Sequence, residues 1–300
     1  MSNTPHILGI FNQKGGVGKS LVSSIIAEYA SIIGKKNVLL IDLDMQCNSS
    51  DLWVGMEDSP NSQGGQLPPK HPDYDGDDEI NERSTIADIF FGKAVVPFET
   101  YISEANGFDN YVEVMVGHPS LLERINGEFA NESGQVEAKV INRLKEFLDM
   151  PELGDLYDLI ILDTGPSRNP VFRSAIRASS HMIIPFECEQ KSLQGINAML
   201  QVYQSENYTR SEDEKLKIVG LLPNKVRVST NIHRTTLELL HNKLGKVMMP
   251  DDVYLSLSSA FPDRDLKGVN PRSIFQISKS HSAYKQSYIV GEYVMNKIFG

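Results

Sequence analysis

Short apolar runs rich in β-branched residues recur along the chain, and segments with helical spacing of apolar positions separate them. Several runs are continuously apolar, which is typical of parallel strands covered on both faces. The runs that predict strands are 6–11, 37–41, 111–116, 159–162, 181–186 and 217–222. Helical spacing predicts helices at 20–33, 136–148 and 235–244. Strands that alternate with helices indicate an α/β fold, with a doubly wound, mostly parallel sheet and helices on both faces.

Residues 56–84 interrupt this alternation. The segment is rich in Pro, Gly, Asn and acidic residues and poor in apolar ones. Such a composition is typical of a long surface loop with no core of its own. Because no second region has a separate set of core residues, we expect one domain over residues 1–300 with a polar, acidic loop insertion.

The charge of the chain is unevenly spread, so the negative net charge does not exclude a basic binding surface. The net charge is −10, but residues 215–300 hold 13 Lys and Arg against 6 Asp and Glu, a local balance of +7 that leaves −17 elsewhere. Such asymmetry is typical of a basic binding face or of a solvated surface. Two cysteines are too few for a disulfide scaffold, and no run approaches the roughly 20 apolar residues of a membrane span. We therefore expect a cytoplasmic protein.

A glycine-rich loop lies between the first predicted strand and the first predicted helix, where residues 12–20 read NQKGGVGKS. This context is typical of a phosphate-binding loop, in which glycines turn backbone N–H groups toward phosphates and the helix N-terminus adds its positive dipole end. Lys19 can reach the β- and γ-phosphates, and the Ser20 hydroxyl can bind Mg²⁺. The predicted nucleotide contacts are Lys14, Gly15, Gly16, Val17, Gly18, Lys19, Ser20 and Leu21.

The loop departs from the common motif, because Gln13 stands where the first glycine belongs and Lys14 is an additional lysine. The pattern K-G-G-x-G-K-S resembles that of the ParA/MinD family of deviant Walker ATPases, especially its ParA branch. The resemblance implies a P-loop NTPase fold with ATP and Mg²⁺ as ligands. It also implies that Lys14 reaches across an ATP-bound homodimer and places positive charge where the transition state gathers negative charge.

Carboxylates follow two of the predicted strands. Asp42, Asp44 and Asn48 match the family pattern D-x-D-x-x-x-N. By this resemblance, Asp42 supports the magnesium shell and Asp44 orients or activates the attacking water. Asp163 directly follows the apolar run 159–162. A carboxylate at this position is expected near Mg²⁺, most often with a coordinating water between the two. The expected catalytic residues are Lys14, Lys19 and Asp44, and the expected metal-site residues are Ser20, Asp42 and Asp163.

The later strands match the family less closely. After 181–186 the family's usual Pro-Glu is replaced by Cys188-Glu189. The run IVGLLPNKV resembles the segment that closes over adenine, so Asn224 is the candidate base contact, although an Asn beside Pro223 equally suits a turn.

The resemblance implies an ATPase that dimerises on ATP, binds duplex DNA without sequence preference, and segregates or positions DNA or another cargo. A ParB-like adaptor or centromere-binding protein would stimulate hydrolysis, and the protein would be associated with the nucleoid. Basic residues of the C-terminal third would grip phosphates in a salt-sensitive way. The candidates are Arg227, Arg234, Lys267 and Arg272, with Lys225, Arg264, Lys279 and Lys285 in the same region.

Three alternatives fit less well. A MinD-like membrane-cycling ATPase needs a basic amphipathic C-terminal helix. Residues 287–300 have helical apolar spacing, but only Lys297 is basic there and Glu292 balances it. We expect a core-docked final helix and no stable membrane association. An iron–sulfur reductase needs paired cluster cysteines, which Cys47 and Cys188 do not provide. A biosynthetic ligase needs a substrate domain, and the sequence predicts none. The cargo, whether plasmid, chromosome or protein assembly, stays open.

Overall fold

The computed structural model describes residues 4–60, 65–76, 81–130, 134–189, 191–227, 229–264 and 272–300. Its strands are β1 (His6–Ile10), β2 (Val38–Leu43), β3 (Glu57–Asp58), β4 (Gln66–Leu67), β5 (Phe98–Glu99), β6 (Val112–Met115), β7 (Leu159–Thr164), β8 (His181–Glu187) and β9 (Lys217–Asn224). Its α-helices are α1 (Lys19–Glu28), α2 (Asn48–Trp53), α3 (Ala87–Phe90), α4 (Pro119–Ala130), α5 (Gly134–Leu148), α6 (Pro151–Leu156), α7 (Pro170–Ala178), α8 (Ser192–Tyr208), α9 (Asn231–Leu244), α10 (Ala260–Asp263) and α11 (Ser282–Phe299). A π-helical turn, Tyr29–Ile33, continues α1. All six predicted strands and all three predicted helices are present.

Seven strands form one sheet in the order β5–β6–β2–β7–β1–β8–β9. Every neighbouring pair is parallel except β5 with β6. The interior strand β1 pairs with β7 on one side and β8 on the other. The carboxyl ends of β1, β2 and β7 therefore meet at one edge of the sheet, where ligands of open α/β folds bind.

Both faces of the sheet are covered, which explains why its strands are continuously apolar. Along β2, Leu39 and Ile41 belong to one core cluster, whereas Val38 and Leu40 belong to another. Helices α5 and α7 cover the first face, and α1 and α11 cover the second. The doubly wound, mostly parallel architecture predicted from the sequence is confirmed.

The final helix docks on the core, as predicted. In α11 the side chains of Val290, Val294 and Ile298 are buried, together with Gly291 and Met295. Among the described residues, no helix combines the length and the apolar character that a bilayer crossing requires.

The predicted loop insertion is packed more closely than its composition indicates. Its described part contains the antiparallel pair β3–β4. His71 is buried, and its ring centroid lies 4.5 Å from that of Phe98 on β5. The composition of the segment gives no sign of this contact, because a single aromatic ring among polar residues can still cover the edge of a sheet. The strand β5 was not predicted, since two residues are too few to show a pattern.

Candidate nucleotide-binding site

The phosphate loop connects β1 to α1 and forms one wall of a cavity of about 670 Å³ at the carboxyl edge of the sheet. This volume is within the range of ordinary ligand sites. Gly16 and Gly18 have φ values of 77° and 86°, in the left-handed region that favours glycine. A Cβ at Gly18 would lie 2.1 Å from Nδ2 of Asn224, so the close approach of β9 also requires glycine there.

Lys19 is the buried cation of this site, with only 6% of its surface exposed. Burial lowers the pKa of Lys19, and the charges of Asp163 and Asp44 oppose that effect. Ser20 and Leu21 also line the cavity, whereas Val17 is buried behind the loop. The structure thus places most of the predicted loop residues, but not Lys14 or Val17, around one space. The charge of Lys19 lies beside two carboxylates there.

Asp42 and Asp163 lie side by side beneath the cavity and are completely buried. Asp42 Oδ2 accepts hydrogen bonds from the Ser50 backbone N–H at 2.8 Å and the Ser50 hydroxyl at 2.7 Å. Burial and the neighbouring Asp163 raise the pKa of Asp42 to about 8. Asp163 Oδ2 accepts a hydrogen bond of 2.7 Å from the Ser49 hydroxyl. Burial raises the pKa of Asp163 to about 6, while the hydrogen bond from Ser49 and the nearby Ser20 hydroxyl oppose the rise.

Asp44, unlike Asp42 and Asp163, lines the cavity. Its Oδ1 accepts the Gln46 backbone N–H at 3.0 Å. A Cβ placed on Gly165, in the turn after β7, would lie 3.3 Å from the same oxygen. Asp44 therefore lies between the loop after β2 and the turn after β7. Asn48 lines the same cavity and begins α2.

The donor set fits a magnesium ion held mainly through water. Oδ1 of Asp163 is buried and has no hydrogen-bond partner among the described residues. A metal-bound water would supply the missing donor, and the Ser20 hydroxyl lies on the same cavity wall. Within the described part of the chain, no group of three or more His, Cys, Asp or Glu side chains could enclose a metal by itself. Mg²⁺ usually keeps several waters and substrate phosphates as ligands.

Asn224 ties the end of β9 to the phosphate loop. It is fully buried, and its Nδ2 donates a hydrogen bond of 2.7 Å to the Val17 carbonyl. Its Oδ1 accepts the backbone N–H of Lys225 at 2.8 Å. Asn224 also lines the cavity, and its contact with a nucleotide base stays a prediction. Its side-chain amide stabilises the phosphate loop through the bond to Val17.

One wall of the cavity was not predicted from the sequence. Residues 256–264 join it, through Ser256, Leu257, Ser258, Phe261, Pro262 and Arg264. A parallel bridge between Val226 and Ser256 brings this segment beside the end of β9. Since that bridge connects distant parts of the chain, no local pattern marks the wall.

Arg264 corrects an expectation, because the sequence groups it with the surface cations of the C-terminal third. It is 5% exposed, and its Nη1 donates to Glu28 Oε1 at 2.6 Å. Glu28, the last residue of α1, is fully buried and also accepts hydrogen bonds from the Tyr101 hydroxyl, the Ser273 hydroxyl and the Ile274 N–H. A buried carboxylate needs such partners, so Arg264 is a structural residue of the cavity wall rather than a surface phosphate contact.

The other predicted DNA contacts fall in two places. Arg227 and Arg234 are exposed beside the start of α9, where the Arg227 backbone N–H donates to Nδ1 of His233. Arg272 is exposed in the segment that follows residue 271. Burial raises the pKa of Tyr101, and the charge of Arg272 is a small opposing contribution. Lys267 lies outside the described residues.

Lys14 lies outside the cavity, with 42% of its side chain exposed. Its backbone N–H donates to Asn12 Oδ1 at 2.8 Å, and its ammonium group contacts Glu189 and Glu187. Cys47 and Cys188 are buried free cysteines. Cys47 precedes α2 and Cys188 follows β8, so each fills a packed position beside the site.

A parallel sheet, a glycine loop that leads into a helix with a buried lysine, and a carboxylate at the end of a neighbouring strand together define a P-loop nucleoside triphosphatase. The family model described as an AAA domain matches residues 5–218. The chain belongs to this family, within the ParA/MinD group of P-loop ATPases.

Individual relatives are distant but cover most of the chain. The sporulation initiation inhibitor protein Soj of Bacillus subtilis is 27% identical over 254 residues, which are 83% of this chain and 86% of Soj. The chromosome partitioning protein ParA of Caulobacter vibrioides is 24% identical over 265 residues, which are 87% of this chain and 86% of that protein. The structure of an ATP complex of a Cyanothece McdA variant is similar in fold, with a TM-score of 0.71, 16% identity, and coverage of 98% of this chain and 96% of McdA.

Proposed function

We propose that this chain binds ATP with Mg²⁺ in the cavity described above and hydrolyses ATP to ADP and phosphate. The observation that carries the proposal is the arrangement around Lys19, a buried cation in a glycine loop beside Asp44 and Asp163. Lys19 would neutralise the β- and γ-phosphates, and the loop N–H groups would orient them.

Ser20 and Asp163 would hold Mg²⁺, Ser20 through its hydroxyl and Asp163 through a water at its unpartnered Oδ1. Bound Mg²⁺ supplies positive charge that offsets the negative charge of the phosphates. Asp44 would accept a proton from, or orient, the attacking water at the cavity surface. Asp42 would support this arrangement from behind, because its carboxylate holds Ser50 at the start of α2.

ATP would also pair two copies of the chain. The exposed Lys14 lies outside its own cavity, which suits a cation that acts on a partner's phosphates. Such a cation placed in trans stabilises the charge of the transition state in the way an arginine finger does. Hydrolysis would then be coupled to the lifetime of the pair.

The ATP-bound pair would bind duplex DNA without sequence preference and would segregate or position DNA or another cargo. The similarity to a chromosome partitioning protein supports this role. The exposed Arg227 and Arg234 supply cations for phosphate contacts, and pairing would double the number of contacts. A ParB-like adaptor or centromere-binding protein would stimulate hydrolysis and release the DNA.

The MinD-like alternative has less support. Membrane cycling needs an amphipathic helix with a free apolar face. The apolar side chains of α11 instead pack on α1, β9 and the segment around Phe275.

The test is an anisotropy titration of random-sequence duplex with ATP, ADP or no nucleotide at two salt concentrations, together with phosphate release. We expect DNA binding only with ATP, and a steep loss of binding at the higher salt concentration, because each neutralised phosphate releases counterions. No DNA binding with ATP at low salt, together with ATP-dependent sedimentation on anionic vesicles, would transfer the chain to the membrane-cycling alternative.

A further inference from the structure

The side chain of Lys14 is held within its own protomer. Its Nζ lies 2.5 Å from Oε2 of Glu189 and 3.6 Å from Oε2 of Glu187. Glu187 is the last residue of β8 and Glu189 lies in the turn that follows, so both carboxylates face the loop from the same edge of the sheet. The hydrogen bond to Glu189 is the main reason why the pKa of Lys14 is raised, which keeps its ammonium group charged.

A second lysine fixes Glu187 from the other side. Lys225 Nζ lies 2.9 Å from Oε1 of Glu187 and donates to the carbonyl of Gly16 at 2.5 Å. Lys225 has a φ of 52°, an unusual conformation for a residue with a side chain, and its N–H is bound by Asn224. Glu187 therefore helps to hold the phosphate loop through Lys225. Glu189 instead forms its short ion pair with Lys14.

We propose that Glu189 is a positioning residue that restrains Lys14 in its own protomer, so that ATP-dependent pairing must break the Lys14–Glu189 contact before Lys14 can reach a partner's phosphates. This inference rests on the proposed function. Glu189 of the same protomer and a phosphate of another protomer would compete for this one ammonium group. The restraint stabilises the unpaired chain and thereby weakens pairing.

The expected size of the effect follows from exposure. The Glu189 side chain is 53% exposed, and ion pairs at such positions shift an equilibrium by about two- to five-fold. The restraint is thus weak enough for ATP to overcome, but large enough to measure.

The first arm compares wild type with Glu189→Gln, which keeps the shape of the side chain and removes its charge. Sedimentation at a series of protein concentrations with a slowly hydrolysed ATP analogue gives the pairing constant. We expect pairing about two- to five-fold tighter in Glu189→Gln. The control is Glu212→Gln, which removes the carboxylate of the exposed Lys215–Glu212 ion pair and leaves pairing unchanged.

The second arm measures the contact itself without any need for pairing. Brief acetylation of lysines in nucleotide-free protein, read by mass spectrometry, gives the reactivity of Lys14 relative to Lys35, whose partner is Asp109. Loss of Glu189 should increase Lys14 acetylation several-fold, and Glu189→Asp should restore part of the protection.

The two arms separate the inference from the proposed function. Failure of the wild-type chain to pair with the ATP analogue overturns the proposed function and the restraint together. If the wild type pairs, unchanged or weaker pairing in Glu189→Gln overturns the restraint alone. Unchanged Lys14 reactivity in that variant also overturns it.

Discussion

Asp42 and Asp163 are register partners on the neighbouring parallel strands β2 and β7, and adjacent serines of α2 bind their carboxylates. Ser49 binds Asp163 and Ser50 binds Asp42. Two buried carboxylates on neighbouring strands repel each other. Burial, together with this repulsion, raises the pKa of Asp42 to about 8. Positive charge from Lys19, and from Mg²⁺ when it binds, would relieve the repulsion. Because these carboxylates hold Ser49 and Ser50, a change in the charge of the nucleotide site would act on the start of α2.

Lys19→Ala should abolish nucleotide binding. The substitution leaves the buried acids without their cation and removes a charge-assisted contact to phosphate, so we expect ATP affinity to fall roughly 100-fold or more. Titration of a fluorescent ATP analogue measures this, with Lys35→Ala as a surface control. Tight binding by Lys19→Ala would show that phosphates lie elsewhere.

Lys14→Ala should keep most of the nucleotide binding and lose both hydrolysis and ATP-dependent pairing. The reason is that its side chain lies outside the cavity of its own protomer. Light scattering after size exclusion reports pairing, and phosphate release reports turnover. Normal turnover in Lys14→Ala would refute a role in trans.

Asp44→Ala and Asp44→Asn should bind ATP but hydrolyse it about 10²–10⁴-fold more slowly, as expected for loss of a group that activates or orients water. Because hydrolysis would end the proposed paired state, the pair should persist in both variants. Single-turnover phosphate release measures the rate. A wild-type rate in Asp44→Asn would move this role to another residue.

Arg234→Glu combined with Arg227→Glu should weaken DNA binding and spare basal ATPase activity, because both side chains are exposed outside the cavity. The slope of log affinity against log salt should fall by about 1 for each lost phosphate contact. Arg143→Glu on α5 is the matched control, since Arg143 is also exposed and forms an ion pair of 3.8 Å with Glu146 of its own helix. An equal loss in the control would indicate a general charge effect.

His181 should make the fold sensitive to acid. Burial, with smaller contributions from His6 and Lys217, lowers the pKa of His181 to about 4. The unfolded chain takes up this proton near pH 6.5, so stability is present above that pH and is lost as the pH falls toward 4, by about 3 kcal/mol in total. His181→Gln should flatten the dependence of the urea midpoint on pH between about 7 and 4.5. Identical slopes in the two proteins would contradict the assignment.

The strands and the phosphate loop could be predicted because their signals are local. Burial on both faces leaves continuous apolar runs such as 159–162, and the phosphate loop occupies consecutive positions. Asp42 and Asp163 were expected together at a metal site from the family pattern and from the apolar runs before them, and they lie near the ends of adjacent strands.

The far wall of the cavity could not be predicted, because it depends on contacts between distant residues. Arg264 and Glu28 are 236 positions apart, and in the sequence each resembles an ordinary charged surface residue. The same reason applies to Glu189, whose partner Lys14 is 175 positions away. His71 was missed because its burial depends on the short strand β5.

The buried Glu28–Arg264 pair sets a boundary for fragments of this chain. The family match ends at residue 218, yet the helix that begins with Lys19 ends with a carboxylate whose donors include Arg264 and Ser273. A fragment cut at the family boundary would lack both donors, and losing one partner of a buried ion pair costs about 3–5 kcal/mol. A fragment that keeps Arg264 and Ser273 as partners of Glu28 must reach Ser273, and a truncation that ends before that residue would leave the phosphate loop on a weakened helix.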